Sequence, residues 1–212
     1  MNLESALAQP NASARLKAAL DAGTRPDPSF VPPLVARCGV EPDLNVREML
    51  TWALVRHGAD ATLPLLIAEL DSDLTQARSQ ALHTLSKIGD QRAWPSITAE
   101  LLFDADDIVA RTAWRAAVAV VPDAERQKLA ATLATLLGRG DRDAKDSLSR
   151  ALVALSLESA ATLRVASNAD QREVRVHAIA TERLIDDSDE GLDGGFDAAM
   201  YEAERLDPPR PA

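Results

Sequence analysis

Three prolines, Pro33, Pro64 and Pro95, stand 31 residues apart, and each enters an apolar stretch: PLVARC, PLLIAEL and PSITAELL. A fixed period of this length marks a chain built from stacked helical or strand units, and it outranks the reading of any single segment. Arg47 and Arg78 keep the same interval, and the later stretches DRDAKDSLSRALVAL and DQREVRVHAIATERLI repeat the second half of the unit. Proline suits the first turn of a helix, or a kink within one. The Asp-rich stretches between apolar segments suit turns whose carboxylates cap the next helix. The unit is therefore helix–turn–helix, and five of them are expected.

The second helix of each unit can be counted from Val46, Ala77, Val109, Ala144 and Val174. Four residues on lie Leu50, Ala81, Ala113, Leu148 and Ala178; seven on lie Ala53, Thr84, Ala116, Ala151 and Thr181. These spacings share one helical face, and the small row predicts close helix approach. Eight residues on, Leu54, Leu85, Ala117 and Leu152 give way to Glu182, as expected where stacking ends. Asp43, Asp73, Asp141 and Asp170 precede Arg47, Arg78, Lys145 and Arg175. Stacking would set each cation beside acids of a neighbouring turn, as a ladder. In the third unit Ala110 takes the basic place, while Asp107 and Arg111 still span one turn.

Composition agrees with an all-α chain, because aromatics are 3% and glycines number nine. One cysteine excludes an intramolecular disulfide and suits a reducing cytoplasm. The first residues lack the basic and apolar regions of a signal peptide, and no apolar run is long enough to span a membrane. A monomeric cytoplasmic protein without membrane contact is expected. Net charge is −10, and residues 186–212 hold nine carboxylates against two arginines, so the tail is acidic and the body near neutral. Three segments follow. Residues 1–27 form an N-terminal capping segment around the helix NASARLKAALDAG, and residues 28–186 carry the repeats. Residues 187–212 join an acidic linker to an amphipathic helix, FDAAMYEAERL, with Phe196, Ala199, Met200, Ala203 and Leu206 on one side. That helix either caps the fifth unit or turns back over the repeats.

The stretch IGDQRAWPSITAELLFDADDIVAR resembles the HEAT repeat of the short bacterial, phycobilin-lyase-like kind, with Gly-Asp, Ala-x-Pro-x-Ile, an Asp-rich turn and Val/Ala-Arg in order. The resemblance covers residues 28–186. It implies an armadillo-like, right-handed α-α superhelix of about five HEAT-like hairpins with capping helices, whose second helices line a concave binding groove. ARSQALHTLSKIGD also resembles modules attached to MerR-type transcription regulators of high-GC bacteria. No DNA-reading helix-turn-helix stands before the repeats, so a DNA-binding role is not expected to carry over.

Two, six and ten residues after each starting position lies the face turned from the apolar stripe. It carries Trp52, Arg56, His83, Lys87, Arg111, Arg115 and Arg150, against Glu48 and Asp146, with Ser79, Val176 and Ala180 in the same rows. These residues are the candidate partner-binding strip; read plainly, they are solvated charges, with Asp146 and Arg150 a simple one-turn pair. The three histidines occupy unlike places, and the His-Glu pairs of iron-binding HEAT hydroxylases are missing. No catalytic, cofactor or metal site is expected. Cys38 reads as a small buried residue, and Trp94 and Trp114 as core. The RGD at Arg139–Asp141 is accounted for by capping. DDSDEGLDGGFD mimics an EF-hand loop but places Ser188, Glu190 and Asp197 where better ligands belong. The expected function is a non-catalytic scaffold, with a regulatory role open to it as to other HEAT modules, that binds a protein or acidic peptide. The alternative is a DNA-associated protein like the HEAT-like alkylpurine glycosylases, with Trp52 as platform, which the net acidity opposes.

Overall fold

Helix pairs account for the chain. The computed structural model describes residues 2–189 and 195–207, and among these every regular element is helical. The chain divides into two compact units, Met1–Val120 and Val121–Ala212.

The first unit holds four pairs: α1 (Leu3–Leu7) with α2 (Ala12–Thr24), α3 (Val31–Cys38) with α4 (Leu44–Arg56), α5 (Ala59–Ala68) with α6 (Thr75–Ile88), and α7 (Ala99–Leu102) with α8 (Asp107–Val120). The second members α2, α4, α6 and α8 pack side by side in order, and so do α1, α3 and α5. The sequence stripe forms this core: Val46, Leu50, Ala53 and Leu54 of α4 and Val109, Ala113, Ala116 and Ala117 of α8 have no exposed surface. The small row gives the close approach that larger side chains would block. The prolines take three different places. Pro33 lies in the first turn of α3, Pro64 inside α5, and Pro95 in the 3-10 segment Gln91–Ser96, which leaves α7 only four residues.

Capping follows the expected Asp at Asp43, whose Oδ1 accepts from Val46 N at 3.1 Å. It departs from it at α6. Leu74, not Asp73, is the N-cap of α6, and the hydroxyl of Ser72 takes the Leu74 amide at 3.3 Å. At α8 the acceptor for Ile108 N and Val109 N is Asp106, one residue before Asp107. In each case the turn geometry decides which side chain can reach a free amide.

The basic ladder is a clamp with two ends. Arg47 Nη1 donates to the carbonyls of Glu41 and Pro42, and Arg78 Nη1 to that of Ser72, tying each second helix to its own turn. Arg78 also reaches Asp104 of the next turn, at 3.5 Å. The same device opens the unit: Arg15 donates to the carbonyls of Gln9 and Pro10 and pairs with Glu41 at 2.7 Å. Thus α2, expected as a lone capping helix, is the second member of a further pair.

The second unit holds α9 (Asp123–Ala134) with α10 (Arg142–Val153), α11 (Ser156–Ala166) with α12 (Arg172–Asp189), and α13 (Phe196–Leu206). α9 packs on α11, α10 on α12, and α13 on α12. Asp141 of the RGD caps α10, accepting from Ala144 N at 2.9 Å. α13 seats Ala199 and Ala203 against Val176 and Ala180 of α12, with Met200, Ile179 and Leu184 at the edge. Ion pairs pin its two ends, Arg142 to Asp197 and Arg175 to Asp207. The C-terminal helix is therefore a cover on the Val176 and Ala180 side of α12. The linker begins later than the sequence suggests, since Asp186–Asp189 continue α12; its EF-hand-like remainder, 190–194, lies outside the described residues.

Candidate binding face

The candidate strip falls on both units, and each part stands by itself. In the first unit, Arg56 closes α4 and Lys87 lies in the last turn of α6, both exposed, while Arg115 points outward from the middle of α8. Arg111 is half-buried one turn earlier. Trp52 is 39% exposed. Its ring packs against Gly23 of α2, where an added Cβ would stand 2.3 Å from Cζ3 and force the indole off. Glycine at that place is what lets an aromatic side chain rest half open on the surface.

His83 is the centre of the group. Its Nε2 lies 3.5 Å from Oε1 of Glu48 on α4 and has no hydrogen-bond partner among the described residues. Burial pushes its pKa below the usual histidine value, Glu48 opposes that, and the charges of Lys87 and Arg115 add to it. Burial is the main cause of that depression, and Lys87 and Arg115 stand close enough to this ring to add to it, on a chain of net charge −10. The structure therefore brings Glu48, His83, Lys87 and Arg115 together. It does not keep the rows uniform. Ser79 is buried within α6, and Val176 and Ala180 are buried beneath α13, because neighbouring helices need those places for packing. Arg150 belongs to the second unit, is 77% exposed and pairs with Asp146 at 3.0 Å, the plain one-turn pair.

The remaining reactive side chains are structural. Cys38 ends α3, buried, and burial pushes its thiol up to about 12. His57 Nδ1 donates to the Ala53 carbonyl at 2.7 Å, and the ring meets Phe30 edge-on. Trp114 is fully buried and donates from Nε1 to the Leu102 carbonyl at 2.9 Å. His177, fully buried in the second unit, accepts from Gly138 N at Nδ1 (3.0 Å). Its Nε2–H therefore faces the Lys145 carbonyl and the Ser149 hydroxyl, at 3.1 and 3.0 Å. Sequence spacing gave no sign of this closed network, because its parts come from three separate segments. Among the described residues no three His, Cys, Asp or Glu side chains gather as metal ligands, and no helix is long and apolar enough to cross a membrane.

A cavity of about 580 Å³ is lined by Leu3, Ala18, Ala22, Arg25 and Phe30, beside α1.

No family model matches the chain, and no curated protein matches it. Among solved structures it is similar to an engineered protein known from a crystal structure, 18% identical over 91% of this chain and 98% of that one, with a TM-score of 0.47.

Proposed function

We propose that the chain is a HEAT-type α-solenoid, a right-handed stack of helical hairpins, that works in the cytoplasm as a non-catalytic scaffold. It takes an acidic segment of another protein along α4, α6 and α8. The recurring pair of helices with an arginine clamp in its turn supports the architectural part. One observation carries the functional part. Arg56, Lys87 and Arg115 are exposed and have no carboxylate partner among the described residues, beside a half-open Trp52. Unpaired cations next to an exposed aromatic ring make an anchor for carboxylates and an apolar side chain together.

The test uses a fluorescein-labelled amphipathic peptide of Leu and Glu, read by anisotropy. Lys87→Glu with Arg115→Glu should weaken its binding at least tenfold while leaving the helical circular dichroism unchanged. Undiminished binding by that variant removes this face from the function. Trp52 also favours a second reading, nucleic acid stacked on the indole. Three phosphate contacts would then give a slope of about −2.1 in log K against log salt for a single strand. A flat salt response to a single-stranded oligonucleotide rejects it.

A further inference from the structure

Exposed apolar side chains gather along one edge of the first unit, away from the cation face. Val40 and Leu44 stand at the α3–α4 turn, Leu74 at the α5–α6 turn, and Phe103 and Ile108 at the α7–α8 turn, each between 45% and 61% exposed. The place is the same in three successive pairs. Hydrogen bonds fix these turns to one another: Gln76 Nε2 donates to the Cys38 and Glu41 carbonyls at 2.9 Å each, and Arg78 reaches Asp104. The five side chains are thus held on a single edge of one compact unit. The core does not need them, since Val46, Ala77 and Val109 already fill the inward positions of the same helix ends. The corresponding turns of the second unit differ: Leu136 and Leu137 are buried there, and residues 167–171 read SNADQ.

The rim of this edge is acidic. Asp71 and Asp73 come just before Leu74, both exposed and without a cation partner among the described residues. Asp43 and Asp106 turn their carboxylates to helix amides. Glu41, in the same row, is matched by Arg15 and Arg37 and adds nothing outside. Arg47 and Arg78, in the same turns, spend their Nη1 donors on turn carbonyls. An exposed apolar row beside two unmatched acids marks an interaction site, and the sign of those acids names the partner.

We propose that this edge docks a basic amphipathic helix of another protein. Its apolar stripe would lie along the Val40, Leu44, Leu74, Phe103 and Ile108 row, with lysines or arginines beside Asp71 and Asp73. Helices in contact stand about 8–10 Å apart, so three turns in a row span about 20 Å. That length matches about 13 residues of helix at a rise of about 1.5 Å per residue. The edge lies at the N-terminal ends of α4, α6 and α8, whereas Arg56 and Lys87 lie in the last turns of α4 and α6. The two surfaces have opposite charge and are tested separately.

The probe is a fluorescein-labelled 14-residue (about four turns) amphipathic peptide of Leu and Lys, compared with a scrambled isomer. The amphipathic isomer should bind at least tenfold more tightly than the scramble. Leu74→Ser with Ile108→Ser should remove at least tenfold of that affinity without shifting the thermal melt, because both side chains are already in water. Asp71→Asn with Asp73→Asn should flatten its salt dependence, and Lys87→Glu with Arg115→Glu should leave it unchanged. Equal binding of the two isomers overturns the proposal, as does full binding by the Leu74→Ser, Ile108→Ser variant. A wild-type dimer in sedimentation that this variant dissolves also overturns it, by naming a second copy as the occupant.

Discussion

Glu41 offers the sharpest test of how the first unit is held together. Its carboxylate has no exposed surface and accepts from Arg15 Nε and Nη2 at 2.8 and 2.7 Å, from Arg37 Nε at 2.8 Å, and from Asp43 N at 2.9 Å. Burial by itself would favour the neutral acid, but these donors outweigh it and hold the pKa at about 2, against 4.5 for the free group. Glu41→Gln keeps the shape and removes the charge, leaving Arg15 buried with no anion. Breaking one side of a buried pair costs about 3–5 kcal/mol. The depressed pKa points to the same size, on the order of 3 kcal/mol at neutral pH. All three tryptophans, Trp52, Trp94 and Trp114, lie in the first unit, so urea unfolding followed by tryptophan fluorescence reads that unit alone. With a slope of about 2 kcal/mol per molar urea, the midpoint should fall by about 1.5 M. A carboxyl lowered in the folded state stabilises above its unfolded pKa and loses that effect as pH falls through the folded value. The gap between wild type and Glu41→Gln should therefore be full above about pH 4.5 and close towards pH 2. A midpoint shift below about 0.5 M at neutral pH, under 1 kcal/mol on the same slope, would refute this account of the clamp.

His177 should make the second unit acid-sensitive. Burial lowers its pKa to about 4, so the unfolded chain takes up a proton first, and stability is intact above about pH 6.5 and falls by about 3 kcal/mol on the way to pH 4. Amide exchange of residues beyond Val121 measures this, and protection unchanged between pH 7 and pH 4.5 contradicts it. Ala116→Leu places three extra carbons in the fully buried small row of α8, and fluorescence-detected melts should show a loss of about 1–3 kcal/mol; no loss would mean that α8 has room to spare. Ending the chain after Asp187 strips Val176 and Ala180 of their cover and should lower the melting temperature with no gain in binding of the Leu/Glu peptide. Tighter binding at low salt, with stability kept, would mean that the tail shields the cation face instead.

Much of the fold could be read from the chain because helix pairs repeat their demands. The apolar stripe, the small row and the bounds of α13 all follow from spacing, since packing on a neighbour fixes which side of a helix is apolar. The first pair escaped notice because it has no proline mark and its core residues, Ala18, Ala19, Ala22 and Gly23, are small. The signal was there in Asn11 and Arg15, spaced like Asp43 and Arg47. The cap of α6 falls at Leu74 and not at Asp73, because reach depends on turn geometry that composition does not carry. For the candidate face, spacing placed His83, Lys87 and Arg115 correctly on adjoining helices. It could not foresee that Ser79 would sink into the core, nor that Trp52 would find its bed on Gly23, a contact between residues 29 positions apart in the sequence.

The cap on α12 has a consequence for where such a stack can stop. Arg15 and Arg78 each look forward to an acid supplied by the following turn, Glu41 and Asp104. Arg175 looks forward too, and Asp207, just past the end of α13, answers it at 3.0 Å. A single helix thus supplies the carboxylate of the pair that would have come next, together with an apolar cover for Val176 and Ala180. Growth by duplication of a pair needs only that this counterfeit be carried to the new end. Without it, an exposed cation and a bare apolar strip would form a growing tip, ready to add a hairpin from another molecule.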